Sequence, residues 1–231
     1  MANFAFIFIK MQELSTSEEN YIKAIYSIAQ SEDETVSTNA LAEQMQTKAS
    51  SVTDMVKKLS AKSLISYEKY KGVSLTENGM QAAIKLIRKH RLWETFLVEK
   101  LGFGWEEVHD IAEQLEHIES PKLTQRLDAF LIYPKFDPHG DPIPNEDGEI
   151  HKIEKAINLS QTELNKQYIV IGVSDVSPSF LKYLDKNGIN IGAKIKVLQR
   201  YDFDQSIAID FGGKEINLSK TAVQNITVVP T

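Results

Sequence analysis

Three short stretches bring imidazoles and carboxylates to spacings at which they can share an ion. His90 and Glu94 stand four residues apart in a segment that reads as helix, and His109, Glu113, Glu116 and His117 form H-x3-E-x2-E-H in the next. Steps of three and four residues return to one side of a helix, so each set shares a face. Asp137-Pro138-His139 adds a further pair in a proline-rich stretch. Imidazole and carboxylate without sulfur suit a divalent first-row metal in octahedral or related geometry. A single Glu/His pair on an exposed helix is more often a solvated i,i+4 contact. Two helices with the same face chemistry, flanking a short turn that makes them antiparallel neighbours, favour the metal.

The remaining composition narrows the chemistry. The chain has 231 residues and no cysteine, which excludes disulfides, thiolate zinc sites, iron–sulfur clusters and cysteine nucleophiles. No H-E-x-x-H supports a zinc peptidase, no Walker A or G-x-G-x-x-G supports nucleotide binding, and nothing nominates a serine for a catalytic triad. Hydrophobic residues at 42% and charged residues at 25% are ordinary for a soluble globular protein of one to three domains. The apolar run Ala2 to Ile9 is far short of the roughly 20 residues a membrane helix needs and lacks a basic leader. Residues 1–10 read as an extension or tag ahead of a more usual start at Met11, and the rest reads as cytoplasmic with no membrane partner. A net charge of −6 makes the chain a poor non-specific polyanion binder, so any nucleic-acid role needs a local basic face.

Such a face is present. Ser17 to Ala29, Val36 to Gln44 and Ser50 to Lys62 read as helices, and Leu64 to Leu75 as two short strands around Lys71-Gly72. That order within about 60 residues is the winged helix-turn-helix. From Lys48 to Lys71 six lysines stand against two carboxylates, a local charge of +4. Lys48, Ser50, Ser51 and Thr53 begin the third helix with groups able to approach a groove, and Lys57, Lys58, Lys69 and Lys71 can meet phosphates. Asp54 suits cytosine N4 if it reaches a base, or caps the helix start.

Downstream, Glu77 to Lys100, Trp105 to Glu119 and Lys122 to Leu131 read as helices. Tyr133 to Glu149 holds four of the seven prolines and reads as a linker or ordered loop. Beyond Leu159, YIVIGV, AKIKVLQRY, SIAIDF, KEINLS and NITVV alternate apolar and polar residues, as in a five-stranded antiparallel barrel. The fold class is therefore mainly α with a small β domain. Its boundaries are 11–76 for the winged-helix domain, 77–150 for the helical domain with its Pro-rich linker, which the resemblance described next identifies as the metal-binding and dimerisation domain, and 151–231 for the β domain.

From Leu14 to Thr231 the chain resembles the metal-dependent repressors of the diphtheria toxin repressor and manganese transport regulator type. The pieces that carry this are SEENYIKAIY, SSVTDMVKKL, YEKYKGVSLTENG, RKHRLWETFL, VHDIAEQLEH and YPKFDPHGDPIP, in that order. The resemblance implies a winged-helix DNA domain, a helical dimerisation domain carrying metals and a C-terminal SH3-like β-barrel. It implies a homodimer that binds double-stranded operator DNA and represses metal-uptake genes. It places a primary metal site at Asn20, Glu113, Glu116 and His117. Asn20 stands where the manganese branch has Asp and the iron branch has Met; it offers only a neutral carbonyl oxygen. Glu113 stands where the iron branch has Cys, so the oxygen-rich set favours Mn(II), with Fe(II) second and other divalent metals able to substitute in vitro. Lys23 removes the carboxylate that helps one manganese subgroup hold two adjacent ions. A secondary site draws on His90, Glu94 and His109 as in the iron branch, or on Glu94, Asp137, His139 and Asp175 as in a streptococcal branch.

Two other readings stand beside this one. A metal-dependent hydrolase on a carboxylate–histidine helical core would need an open metal position and a cleft, and would leave the basic face without a purpose. A metal-independent winged-helix scaffold would use its Glu/His faces only structurally.

Overall fold

The computed structural model describes residues 14–31, 35–68 and 71–231. Residues 1–10 and Lys69 therefore lie outside the described residues. Two compact units meet between Leu86 and Ile87.

The first unit is built on three helices and a hairpin. Helix α1 (Thr16–Ser31) opens with a reciprocal cap: Glu18 Oε2 accepts from the Ser15 N–H at 2.8 Å and the Ser15 hydroxyl at 3.0 Å, while Ser15 Oγ accepts from the Glu18 N–H. Burial alone would raise the Glu18 carboxyl, but Lys62 and the Ser15 bonds hold it down at about 2. Helix α2 (Thr38–Gln44) starts where Ser37 Oγ accepts from the Ala40 N–H. Helix α3 (Ala49–Ala61) follows, then strands β1 (Ile65–Glu68) and β2 (Gly72–Leu75), antiparallel with Ile65 opposite Leu75.

The second helix was expected to begin at Val36. Instead Val36 pairs with Val73 of the hairpin through two backbone hydrogen bonds of 2.7 and 2.8 Å, and the helix starts two residues later. Gly72 permits that pairing: its φ is +114°, and a Cβ there would lie 2.7 Å from the Val36 carbonyl oxygen. Tyr21, Ile22 and Ile25 of α1 close over Leu41, Val52, Val56, Leu59 and Val73 to form the core. Full burial of each aliphatic side chain contributes about 1.5–3 kcal/mol.

Helix α4 (Glu77–Leu101) crosses the boundary between the units. Beyond it come α5 (His109–Leu115) and α6 (Pro121–Phe130), the latter capped by Ser120, whose Oγ accepts from the Leu123 N–H. The proline-rich stretch is an ordered irregular loop. The chain then forms β3 (Ile157–Asn158), β4 (Gln167–Val173), α7 (Pro178–Lys186), β5 (Lys194–Arg200), β6 (Ile207–Phe211), β7 (Lys214–Leu218), α8 (Lys220–Gln224) and β8 (Ile226–Pro230). The sheet order is β3-β8-β4-β5-β6-β7, antiparallel throughout. All five expected strands are present. A two-residue edge strand, β3, makes six, and the unexpected helix α7 stands between β4 and β5; its Phe180, Leu181 and Leu184 enter the sheet's core.

The loop that carries Asp137 and His139 docks on β4. The Val173 N–H donates to the His139 carbonyl at 3.0 Å. Gly140 adopts φ +88°, and a Cβ there would lie 1.9 Å from the Ile171 carbonyl oxygen. Among the described residues no helix is long and apolar enough to cross a membrane.

Candidate metal centre

Glu94 is the hub of the titratable cluster in the second unit. Residues 90 and 94 lie one helical turn apart on α4, which puts His90 Nε2 at 2.9 Å from Glu94 Oε1. Helix α5 presents His109 from its first turn, with Nδ1 at 3.4 Å from the same oxygen. The docked loop presents His139, with Nδ1 at 3.6 Å from Glu94 Oε2. Asp137 shares the pocket. Its Oδ1 accepts the His139 and Asp141 N–H groups, both at 2.9 Å, and its Oδ2 lies 3.6 Å from Arg91 Nε. Ligand atoms of His90, Glu94 and His109, and again of Glu94, Asp137 and His139, lie within 4.8 Å of one another. Glu94 is common to both sets.

Two of the imidazoles are oriented from behind, as metal-ligating histidines are. His139 Nε2 donates to the Trp105 carbonyl at 2.8 Å, and its ring stacks on the Trp105 indole, leaving Nδ1 toward Glu94. His90 Nδ1 lies 2.5 Å from Glu116 Oε2, which leaves Nε2 toward Glu94.

The electrostatics show a site short of positive charge. Burial, then the charges of Glu94 and Asp141, push the Asp137 carboxyl up to about 7, against the pull of Arg91 and His139. Burial would lower His139, yet its hydrogen bond to Glu94 and the charges of Glu94 and Asp137 push it up to about 9. Burial would likewise raise Glu94, but His109, His139 and His90 hold it well below the usual carboxylate range. Burial first and the neighbouring carboxylates second drive the acid to about 7, and the same carboxylates hold the extra proton on the imidazole. A divalent cation would supply the positive charge, and the nitrogen and oxygen donors fit one.

The other expected ligands are differently placed. The helix expected over Trp105 to Glu119 is confined to His109–Leu115, so Glu116 is its C-terminal cap and His117 lies in the following turn. Glu113 Oε1 reaches toward His109 Nε2 at 3.7 Å, while the fully buried Glu116 is bonded to His90. Glu116 Oε1 lies 3.9 Å from His117 Nε2. Among the described residues Glu113, Glu116 and His117 do not form one of the close ligand sets, and Asn20, half-buried on α1, belongs to the first unit. Asp175 is in neither ligand set; its Oδ1 accepts from the Ser177 N–H at the start of α7.

Sequence reasoning missed Arg91 as a functional neighbour. Its guanidinium donates to the Pro142 carbonyl at 2.6 Å and to Asp141 at 3.0 Å, tying the ligand loop to α4. The signal was its position directly after His90. It also missed the Trp105 carbonyl, for which no sequence signal exists.

On the first unit, Lys48 occupies the N-cap of α3 with Ser50 and Ser51 exposed beside it. The Thr53 hydroxyl donates to the Ala49 carbonyl at 2.9 Å. Asp54 sits in the second turn rather than capping the helix, exposed and 3.9 Å from Lys57. Lys57 and Lys71 are largely exposed, Lys71 beside Glu68 at 2.6 Å. Lys58 lies 3.4 Å and Lys62 2.7 Å from the buried Glu18.

Comparison with known proteins agrees with this organisation. Residues 13–73 match the iron-dependent repressor N-terminal DNA-binding domain, residues 76–145 the iron-dependent repressor metal-binding and dimerisation domain, and residues 157–230 the FeoA domain. The structure of a manganese-dependent transcriptional repressor in complex with manganese is 38% identical, covers 93% of this chain and 100% of that one, and superposes with a TM-score of 0.84. The structure of ScaR with bound Zn2+ is 36% identical, covers 93% and 99%, and gives a TM-score of 0.77. The iron-dependent repressor IdeR of Mycobacterium tuberculosis is 35% identical over 134 residues, 58% of each chain. With these similarities running through all three domains in the same order, the chain belongs to the family of iron- and manganese-dependent repressors typified by the diphtheria toxin repressor.

Proposed function

We propose that this chain is a cytoplasmic, homodimeric repressor of metal-uptake genes that binds double-stranded operator DNA when loaded with Mn(II), or with Fe(II) as the second choice. The buried, sulfur-free cluster around Glu94 carries the reading, in a chain whose winged helix bears a local basic face. Donor chemistry supports manganese: Glu113 and Asp137 are oxygen ligands where thiolate would favour softer metals. The structurally similar ScaR with bound Zn2+ supports substitution by other divalent metals in vitro.

In this reading Glu94, His90, His109, Asp137 and His139 hold the secondary ion, and Asn20, Glu113, Glu116 and His117 the primary one. The cation supplies the charge that lets Glu113 and Glu116 share a site despite their repulsion. Asn20 is the handle through which occupancy acts on the DNA-binding domain. Lys48, Ser50, Ser51, Thr53 and Asp54 face the groove, and Lys57, Lys69 and Lys71 meet phosphates. Lys58, though partly exposed, is drawn toward Glu18.

The test is operator binding at fixed salt against Mn(II), Fe(II) and Zn(II), each with and without chelator. Affinity that rises with Mn(II) or Fe(II) and collapses with chelator supports the reading. Tight binding indifferent to chelator leaves a winged helix without a sensor. Absence of DNA binding under every condition favours the hydrolase reading. Asn20→Ala should weaken metal-dependent operator affinity more than it weakens metal binding; unchanged activation would remove Asn20 from the mechanism.

A further inference from the structure

The Glu18 carboxylate joins the two ends of the first unit that metal and DNA would address. It is 1% exposed although it sits in the first turn of α1. One oxygen, Oε2, is committed to the N–H and hydroxyl of Ser15, so it fixes the start of α1. The other, Oε1, faces the far end of α3, with Lys62 Nζ at 2.7 Å and Lys58 Nζ at 3.4 Å. At 2.7 Å the Lys62 ammonium neutralises Oε1 directly, and with the Ser15 bonds it holds the Glu18 carboxyl down at about 2 against the effect of burial. Lysines at a helix C-terminus also complement its dipole, which favours this end of α3 for the pairing. Between these fixed ends the two helices meet through Ile22, Ile25, Val56 and Leu59, which resist separation but permit sliding; a buried charge pair sets register. Asn20 lies two residues from Glu18 on the same helix.

We infer that Glu18 is a positioning residue: a strut from the first turn of α1 to the C-terminal end of the recognition helix, through which a displacement of α1 reaches the DNA-reading surface. The inference rests on the reading of Asn20 as the sensor's handle. It also gives Lys58 and Lys62 a purpose other than phosphate contact, although both lie in the basic stretch.

The test uses the full chain and measures operator affinity with and without Mn(II), Mn(II) affinity by calorimetry, and the melting temperature. The variants are Glu18→Gln, Lys62→Gln and the charge-conserving Lys62→Arg. Glu18→Gln and Lys62→Gln should each cut the Mn(II)-induced gain in operator affinity about tenfold, the scale of a typical coupling between sites. Metal-free operator affinity and Mn(II) affinity should change by less than about twofold, since neither ligand nor groove contact is lost. Lys62→Arg, which keeps the charge at the end of α3, should keep most of the gain. A full gain in both Glu18→Gln and Lys62→Gln overturns the strut. So does a loss that appears equally in metal-free DNA binding and melting temperature, because that is the signature of a folding role. A Lys62→Arg variant that loses the gain as fully as Lys62→Gln overturns the charge pairing. A wild-type chain with no Mn(II)-dependent gain overturns the functional reading and the strut with it.

Discussion

Replacing Gly140 with alanine should damage the ligand loop far more than the same replacement at Gly192, although both residues sit at φ +88°. The backbone penalty is common to both: an L-residue in the left-handed region costs about 1–2 kcal/mol. At Gly192 nothing lies within 4 Å of the added Cβ, so that cost stands alone. At Gly140 the Cβ would lie 1.9 Å from the Ile171 carbonyl oxygen and 2.6 Å from the Gly172 Cα, both backbone atoms of the central strand β4. The loop must withdraw by more than an ångström to bring that approach out to a real contact. It then loses the Val173 N–H to His139 carbonyl bond, about 1 kcal/mol, and leaves buried polar groups unsatisfied at about 1–3 kcal/mol. The expected losses are about 3–6 kcal/mol for Gly140→Ala and about 1–2 kcal/mol for Gly192→Ala. Urea unfolding of the metal-free chain, followed by tryptophan fluorescence, reads the right region, because Trp93 and Trp105 both lie in the second unit and Trp105 stacks on His139. Mn(II) calorimetry should show the secondary site weakened in Gly140→Ala and preserved in Gly192→Ala. Equal destabilisation by the two replacements would falsify the docking argument.

Three further outcomes are expected. Lys57→Ala should reduce the salt dependence of operator binding by about one phosphate contact, a slope change near 0.9, whereas Lys58→Ala should change it less because Lys58 is drawn to Glu18; equal slopes would contradict that pairing. Mn(II) uptake at Asp137 and His139 must displace protons, since their carboxyl and imidazole titrate at about 7 and about 9. Affinity should therefore rise with pH through that window, and calorimetry in buffers of different ionisation enthalpy should register proton release; pH-independent binding would count against both ligands. In the metal-free chain the same raised values have the opposite consequence. Both groups bind protons more tightly folded than unfolded, so their contribution is complete below the ordinary values near 3.8 and 6.5 and is lost as pH rises through about 7 and about 9. The unfolding midpoint of the metal-free second unit should fall across that range more steeply in wild type than in His139→Gln.

The winged helix was legible because each of its elements carries a local signal. The apolar stripe of α1, the Val52, Val56 and Leu59 face of α3 and the Lys71-Gly72 turn are readable without knowledge of a partner. Val36 was misassigned because its role is a long-range pairing with Val73, and a single residue in a ladder leaves no periodicity. The α5 boundaries failed for a related reason: Trp105 and Glu116 to Glu119 have helix-compatible composition, but Trp105 is turned toward His139 and Glu116 toward His90. The β strands announced themselves by alternation. Helix α7, only nine residues starting at Pro178, was hidden between two strands. In the candidate site, spacing along helices α4 and α5 brought out His90, Glu94 and His109. The convergence of His139 and Asp137 on Glu94 came from family resemblance, since a loop's path is set by Arg91, Gly140 and β4 rather than by any local pattern. Asp175, also named through the resemblance, is the residue that the structure leaves outside both ligand sets.

The 2.5 Å contact between His90 and Glu116 has a consequence for how such a chain can change over generations. Each partner belongs to a different proposed ion, yet neither can be exchanged alone. A lineage that trades His90 for another ligand costs the buried Glu116 this contact, and one that trades Glu116 first removes a partner that orients the His90 ring. Contacting residues of this kind are strongly non-additive. Divergence at the two centres should therefore proceed by paired substitution, so that a change of metal preference at one is inherited together with a change at the other.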